Sequence, residues 1–176
     1  EYLATLIEAD EQLSVCDIGC GTGAIGEHFA RLRPLCEIEG VDISPQMIAQ
    51  ASTKMRDDGT PVYKEFHEIN LAKPIYFAQS IYDFMVSAGT FTLGHLGASD
   101  MLAISRVLKP LGIACVGINK QHFEQHGFRP VIAEAVEERF ITQPEYVEVD
   151  IYGPSSEHHG DKAIIAVFGR PSLQND

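Results

Sequence analysis

Apolar positions along the chain recur in two periods, and segments of one period alternate with segments of the other. Residues 13–18 form a short apolar run that predicts a buried strand, with Cys16 and Ile18 on one face and Val15 and Asp17 on the other. After a glycine-rich turn, Ile25, Phe29 and Leu32 follow at four-then-three spacing, the mark of one apolar helical face, which Pro34 ends. Residues 36–43 predict a second strand. Ser44-Pro45 then opens a helix, with serine as N-cap and proline at the first helical position. Met47, Ile48, Ala51 and Met55 make its predicted buried stripe, and Asp58-Gly59 closes it. Strands are predicted over 62–69, 82–87 and 111–118. Between them lie a loop or weak helix over 73–80 and a helix over 99–108 that carries Met101, Ile104 and Leu108 and stops at Lys109-Pro110.

Leu3, Leu6 and Ile7 predict a further helix over 1–9. Near the other end, 121–125 and 131–140 read as helices, and 145–152 alternates acidic and apolar residues like a strand with one wet face. A turn over 153–160 and a final apolar strand over 163–168 complete the pattern. Five strand-and-helix units followed by a strand pair predict an α/β domain. Its sheet is parallel, is covered by helices on both faces and ends in an antiparallel hairpin. No internal repeat, linker or low-complexity tract divides the 176 residues, so one domain is expected.

The chemistry concentrates in Val15-Cys16-Asp17-Ile18-Gly19-Cys20-Gly21-Thr22-Gly23-Ala24-Ile25-Gly26. A strand runs into glycines at alternate positions and then into a helix, whose free N–H groups face whatever sits in the turn. Two spacings fit. Gly21, Gly23 and Gly26 satisfy the dinucleotide pattern G-x-G-x-x-G, with Asp42 about twenty residues on. Gly19, Gly21 and Gly23 satisfy G-x-G-x-G with an acid two residues before it. Spacing alone leaves both open.

Charge narrows the partners. With 25 acids against 13 bases the formal net charge is -12, and no Lys/Arg cluster offsets it, so nucleic acid is not an expected partner. Cys16, Cys20, Cys36 and Cys115 sit mostly in apolar segments, where cysteine acts as a small hydrophobe. Free thiols and a cytoplasmic location are expected. No signal peptide or membrane-spanning run is seen. The first residue is Glu1 rather than Met, and a longer parent chain is expected.

The ordered motifs resemble those of class I S-adenosylmethionine (SAM)-dependent methyltransferases. They are residues 15–23, Gly40-Val41-Asp42-Ile43-Ser44-Pro45-Gln46-Met47, Asn70-Leu71, Tyr82-Asp83-Phe84 and Arg106-Val107-Leu108-Lys109-Pro110-Leu111-Gly112. Residues 89–97 look like a loop of the methyltransferase-like proteins first named from the Williams–Beuren region. The resemblance implies a Rossmann-like, doubly wound, mostly parallel seven-stranded sheet with an antiparallel C-terminal strand. It implies SAM as cofactor and S-adenosylhomocysteine as product. Asp17, Gly19, Cys20, Gly21, Thr22 and Gly23 would take the methionine end. Asp17 would answer the ammonium group through water, whereas a carboxylate under a pyrophosphate would repel it. Asp42 would accept the ribose hydroxyls, Ile43 and Met47 would sandwich the adenine, Asn70 and Leu71 would meet its edge, and Ser87 and Gly89 would complete the site. Two positions depart from the family pattern. Asn70 stands where an aspartate is common, and its amide oxygen can still accept. Leu111 stands where glycine is common, in a turn away from the cofactor, and only a changed turn shape is expected.

Displacement at a sulfonium carbon needs alignment and exclusion of water more than a catalytic side chain. A base is needed only for an acceptor with a high pKa. His95 is the candidate base, or else it orders its loop. Thr90, Phe91, Thr92, Asn119 and His122 are candidates for the acceptor pocket. Asn119 fits a helix N-cap as well, and Phe91 fits core filling. His158-His159 with Asp161 lacks further ligands, so no metal is expected. Glu134, Glu137, Glu138 and Arg139 read as a solvated helix face. No G-K-[ST] follows the glycines and no G-x-S-x-G occurs, which removes phosphate-loop and serine-elbow chemistry. Methyl transfer from SAM to a small molecule is the expected function. A SAM-binding module without turnover and a nicotinamide-dependent oxidoreductase are the alternatives. Segments upstream of the first strand are expected to include a lid over the pocket.

Overall fold

The computed structural model describes residues 11–73, 79–151 and 160–172. The helix expected over 1–9, the centre of the 73–80 connection and the turn holding His158-His159 lie outside the described residues. Seven strands form one sheet: β1 (Ser14–Ile18), β2 (Glu37–Asp42), β3 (Tyr63–Glu68), β4 (Tyr82–Phe91), β5 (Leu108–Asn119), β6 (Glu145–Asp150) and β7 (Lys162–Gly169). Their order is β3-β2-β1-β4-β5-β7-β6. β1 to β5 pair in parallel, and β7 inserts antiparallel between β5 and β6. The fold is the α/β, mostly parallel architecture that the alternation of periods implied, and the Rossmann-like seven-stranded sheet that the family resemblance implied. The order reverses between β1 and β4, and the carboxyl ends of strands at such a switch point leave a crevice for ligands.

Among the described residues five α-helices cover the sheet: α1 (Ala24–Leu32), α2 (Pro45–Ala51), α3 (Ala98–Ile104), α4 (Lys120–Gln125) and α5 (Phe128–Glu137). Two core clusters lie on opposite faces. Val15 packs with Phe29, Ala30, Ala51 and Tyr63, beneath α1 and α2. Cys16 and Ile18 pack with Met101, Ile104, Phe123, Phe128 and Ile132, beneath α3 to α5. The alternation along β1 thus assigns each residue to the face its position predicted. All four cysteines are free. No helix among the described residues is long and apolar enough to cross a membrane.

Several elements differ from the sequence reading. α1 buries Gly26, Phe29 and Ala30, while Ile25 is exposed. α2 ends at Ala51, before Met55, and both Met47 and Met55 are exposed, so only Ala51 of the predicted stripe is fully buried. β4 continues four residues past Ser87, because Ala88 and Phe91 still pair with β5 across a register shift. β5 begins at Leu108, so Lys109-Pro110 lie within a strand rather than stopping a helix. The α3 segment ends earlier, at Ile104, in a single 3-10 turn over Ser105–Val107. Leu111 sits on the resulting bulge at φ 67, the left-handed region that a glycine enters without steric cost, and is 72% exposed. β6 has no buried face, since all six residues are exposed on this sheet edge.

Candidate active site

The glycine turn joins β1 to α1 with Gly19, Gly21 and Gly23 all at positive φ (65, 53 and 84). Each glycine has a different neighbour. A Cβ on Gly19 would collide with the Thr90 hydroxyl. One on Gly23 would lie 3.1 Å from Ala51 and Tyr63, and one on Gly26 would run into the Tyr63 ring and hydroxyl. One on Gly21 would meet nothing within 4 Å, because Gly21 faces an open cleft. The turn is fastened from two sides. The Cys20 N–H donates to the Val41 carbonyl of β2 (3.0 Å), and the Ser87 and Thr90 hydroxyls of β4 both donate to the Ile18 carbonyl (2.8 and 3.0 Å).

Asp17 lies behind the turn. It is 1% exposed, and its carboxylate accepts from the Tyr63 hydroxyl at 2.6 Å. Burial pushes its carboxyl up to about 6, against the opposing pull of hydrogen bonds from Tyr63 and the Gly26 backbone. Burial, with Asp17 and Asp42 nearby, pushes the Cys20 thiol up to about 12, and burial raises Cys16 as well. Neither thiol is an activated nucleophile.

Asp42 ends β2 at the cleft. One carboxylate oxygen accepts from the Gly21 N–H (2.8 Å) and the other from the Ser44 N–H (2.9 Å). Ser44 in turn caps α2, its hydroxyl accepting from the Met47 N–H (3.3 Å), and Pro45 takes the first helical position. Beyond them Ile43 and Met47 are 59% and 42% exposed. An exposed apolar pair beside a carboxylate suits a flat ring better than water. The Asn70 side-chain oxygen accepts from the Ala72 N–H (3.0 Å), which holds 70–72 as a tight turn beside Leu71.

These groups border a cleft of about 730 Å³. Of the residues singled out from the sequence, it brings together Gly19, Gly21, Asp42, Ile43, Met47, Asn70, Leu71, Gly89, Thr90 and His95. Others stand elsewhere. Asp17 is sealed behind the turn. Cys20 and Gly23 are buried in its packing, and Ser87 holds Ile18 from below. Phe91 is fully buried core. Thr22 is exposed and does not line the cleft, nor does Thr92, whose carbonyl accepts from the His95 N–H (3.0 Å). Asn119 caps α4, its side-chain oxygen accepting from the His122 N–H (3.0 Å). His122 is 3% exposed, with Nε2 2.9 Å from the Leu96 carbonyl, and it packs on Phe128 rather than opening to the cleft.

The sequence reading missed Ser44, Ile69, Ala72, Ala88, Gly94, Leu96 and Asp100 in the lining. Asp100 had a local signal. It stands three residues after Gly97, and its carboxylate accepts from the Gly97 N–H (2.8 Å), as an acid in the first turn of a helix does. Away from the cleft, Glu39, Glu65 and His67 offer ligand atoms within 4.8 Å of one another. There the Tyr82 hydroxyl donates to Glu39 (2.6 Å), and His67 Nε2 lies 2.9 Å from the same carboxylate.

Comparison with known proteins bears on the family and the fold. A family model described as a methyltransferase domain matches residues 9–146. Malonyl-[acyl-carrier protein] O-methyltransferase of Priestia megaterium is 25% identical over 104 residues, 58% of this chain and 35% of that protein. Trans-aconitate 2-methyltransferase of Pseudomonas aeruginosa is 29% identical over 114 residues, 56% of this chain and 39% of that one. The chain spans less than half the length of the curated relatives it matches. Among solved structures, a SAM-dependent methyltransferase of Methanosarcina mazei superposes with TM-score 0.64 at 16% identity, covering 97% of each chain. One of Mesorhizobium loti gives 0.63 at 14% identity, covering 96% of each. The [4+2]-cyclase SpnF gives 0.64 at 17% identity, covering 97% of this chain and 81% of that one.

Proposed function

This chain belongs to the class I SAM-dependent methyltransferase family, and from that premise we propose that its cleft serves methyl transfer to a small-molecule acceptor. The observation that carries the reading is the meeting, at one cleft, of the open Gly21 turn, the Asp42 carboxylate and the exposed Ile43–Met47 pair. These fit the parts of SAM in order. The turn at Gly19 to Gly23 would receive the methionine end, Asp42 the ribose hydroxyls, and Ile43, Met47 and Leu71 the adenine faces. Asn70 would meet the adenine edge. Asp17, sealed behind the turn, would shape it through Tyr63 and Gly26 instead of reaching the ammonium group. Gly89 and Thr90 would border the methyl end.

Bound SAM supplies a methyl carbon on a sulfonium, a leaving group that is already activated. The chain's own task is then to orient the acceptor and exclude water. His95, on the cleft wall, would accept a proton from an acceptor that must lose one. The narrower likeness of residues 89–97 to the Williams–Beuren-region proteins stays a proposal carried by that loop alone.

The dinucleotide alternative predicts a different sheet. A nicotinamide Rossmann sheet runs parallel in the order 3-2-1-4-5-6, whereas here an antiparallel β7 separates β5 from β6. Titration calorimetry with SAM, S-adenosylhomocysteine and NAD tests the assignment. Heat of binding with the first two and none with NAD is expected, and tight NAD binding without SAM binding overturns it. The same fold in a protein named as a cyclase means that the fold alone does not fix methyl transfer. Labelled-methyl transfer therefore separates an enzyme from a module that only holds the cofactor.

A further inference from the structure

The charges around the cleft bear on the acceptor. Among the described residues that line it, Asp42 and Asp100 are acids, His95 is the one basic side chain, and none is Lys or Arg. The residues outside the described ones add no Lys or Arg either. Nine of the thirteen Lys and Arg side chains have contacts outside the cleft. Lys54 pairs with Glu27, Lys64 with Glu37, Lys109 with Asp83, and both Lys120 and Lys162 with Glu148. Arg56 and Arg170 donate to backbone carbonyls, and Arg106 and Arg129 lie over aromatic rings. Lys73 follows the Asn70–Ala72 turn at the cleft and is not itself among the lining residues.

Three backbone donors at the cleft are already occupied. The Gly97 N–H at the start of α3 is taken by Asp100, and the Gly21 and Ser44 N–H groups are taken by Asp42. An anionic acceptor at the β4 end would lose hydration and meet the Asp100 carboxylate with no Lys or Arg among the described lining residues to offset it, the cofactor's sulfonium being common to every acceptor, within a chain of net charge -12. We propose that the acceptor of this cleft is an uncharged or cationic small molecule, not a carboxylate or phosphate. This rests on the methyl-transfer reading. It also sets the chain apart from relatives named for malonyl and trans-aconitate acceptors.

The test starts from a small-molecule extract split by ion exchange into anionic, neutral and cationic pools. Each pool is incubated with the full chain and methyl-labelled SAM under one buffer condition. The pools are sorted before the reaction because esterification would erase an acid's charge. Label transfer to the neutral or cationic pool at least about tenfold above the anionic pool is expected, the size of one unfavourable charge contact. Equal or preferred transfer to the anionic pool overturns the inference. Asp100→Asn keeps an oxygen to accept from Gly97 and removes the charge, so it should narrow the gap between pools severalfold. An unchanged ratio would count against the role given to Asp100. SAM binding without transfer to any pool would remove the methyl-transfer reading, and this inference with it.

Discussion

Replacing Asp17 by asparagine should change how stability depends on pH. The carboxyl is fully buried, and its pKa rises from an ordinary 3.8 to about 6 in the folded chain. A displacement of about two pH units, at about 1.4 kcal/mol each, is worth about 3 kcal/mol in full. The sign follows from the raised value. Between the two pKa values the folded state binds more protons than the unfolded one. The contribution is therefore complete below pH 3.8, declines above it and is gone once pH has risen through 6. Between pH 5 and pH 8 the wild-type chain should lose about 1.4 kcal/mol from this group alone. The amide in Asp17→Asn keeps an oxygen to accept from Tyr63 but cannot titrate, so the variant should lack this component. Urea unfolding of both proteins at half-unit steps from pH 5 to 8 isolates it as the difference between the two curves. Parallel curves, or a wild type that gains stability over the variant as pH rises, would refute the reasoning.

Gly19→Ala places a methyl against the Thr90 hydroxyl at a positive φ. It should cost about 1–3 kcal/mol of stability in denaturant titration and weaken SAM binding in calorimetry. Asp42→Ala removes a charged acceptor of two expected ribose hydrogen bonds and should raise the SAM Kd by about a hundredfold or more. Asp42→Asn, which keeps one acceptor, should fall between the two, and equal affinity in all three proteins would remove Asp42 from the site. Leu111→Gly relieves a left-handed leucine on the exposed bulge. It should leave SAM binding untouched and raise the unfolding free energy by up to about 1 kcal/mol, the steric gain outweighing the entropy glycine adds to the unfolded chain.

The order of strands and helices was legible because hydrophobic period reports which side of an element is covered. The cap at Ser44-Pro45 was legible because capping is local. What escaped depends on residues far along the chain. Asp17 looks available to a ligand in the sequence, yet Tyr63, 46 positions away, closes over it. Met47 and Met55 have helical spacing with Ala51, yet α2 ends too soon and lies too near the rim to bury them. Lys109-Pro110 reads as a stop, but β5 passes through it, with the neighbouring Leu111 N–H donating to the Arg170 carbonyl at 2.8 Å. Alternation in 145–150 marked a strand correctly. It could not tell that the strand sits at an edge where all six residues stay exposed, even Tyr146, which packs on Phe123. In the cleft, the motif-bearing stretches supplied most of one wall, while Gly94 and Leu96, from the loop before α3, and Asp100, from the first turn of α3, carry no residue type or spacing that marks them as lining.

The Ile18 carbonyl, with two hydroxyl protons converging on it from β4, ties the floor of the glycine turn to the strand end that carries Gly89 and Thr90. The two regions cannot drift apart without breaking one of those bonds. A molecule that stiffens the first would stiffen the second at no further entropic cost, so the order in which two ligands arrive ought to be visible as cooperativity between them.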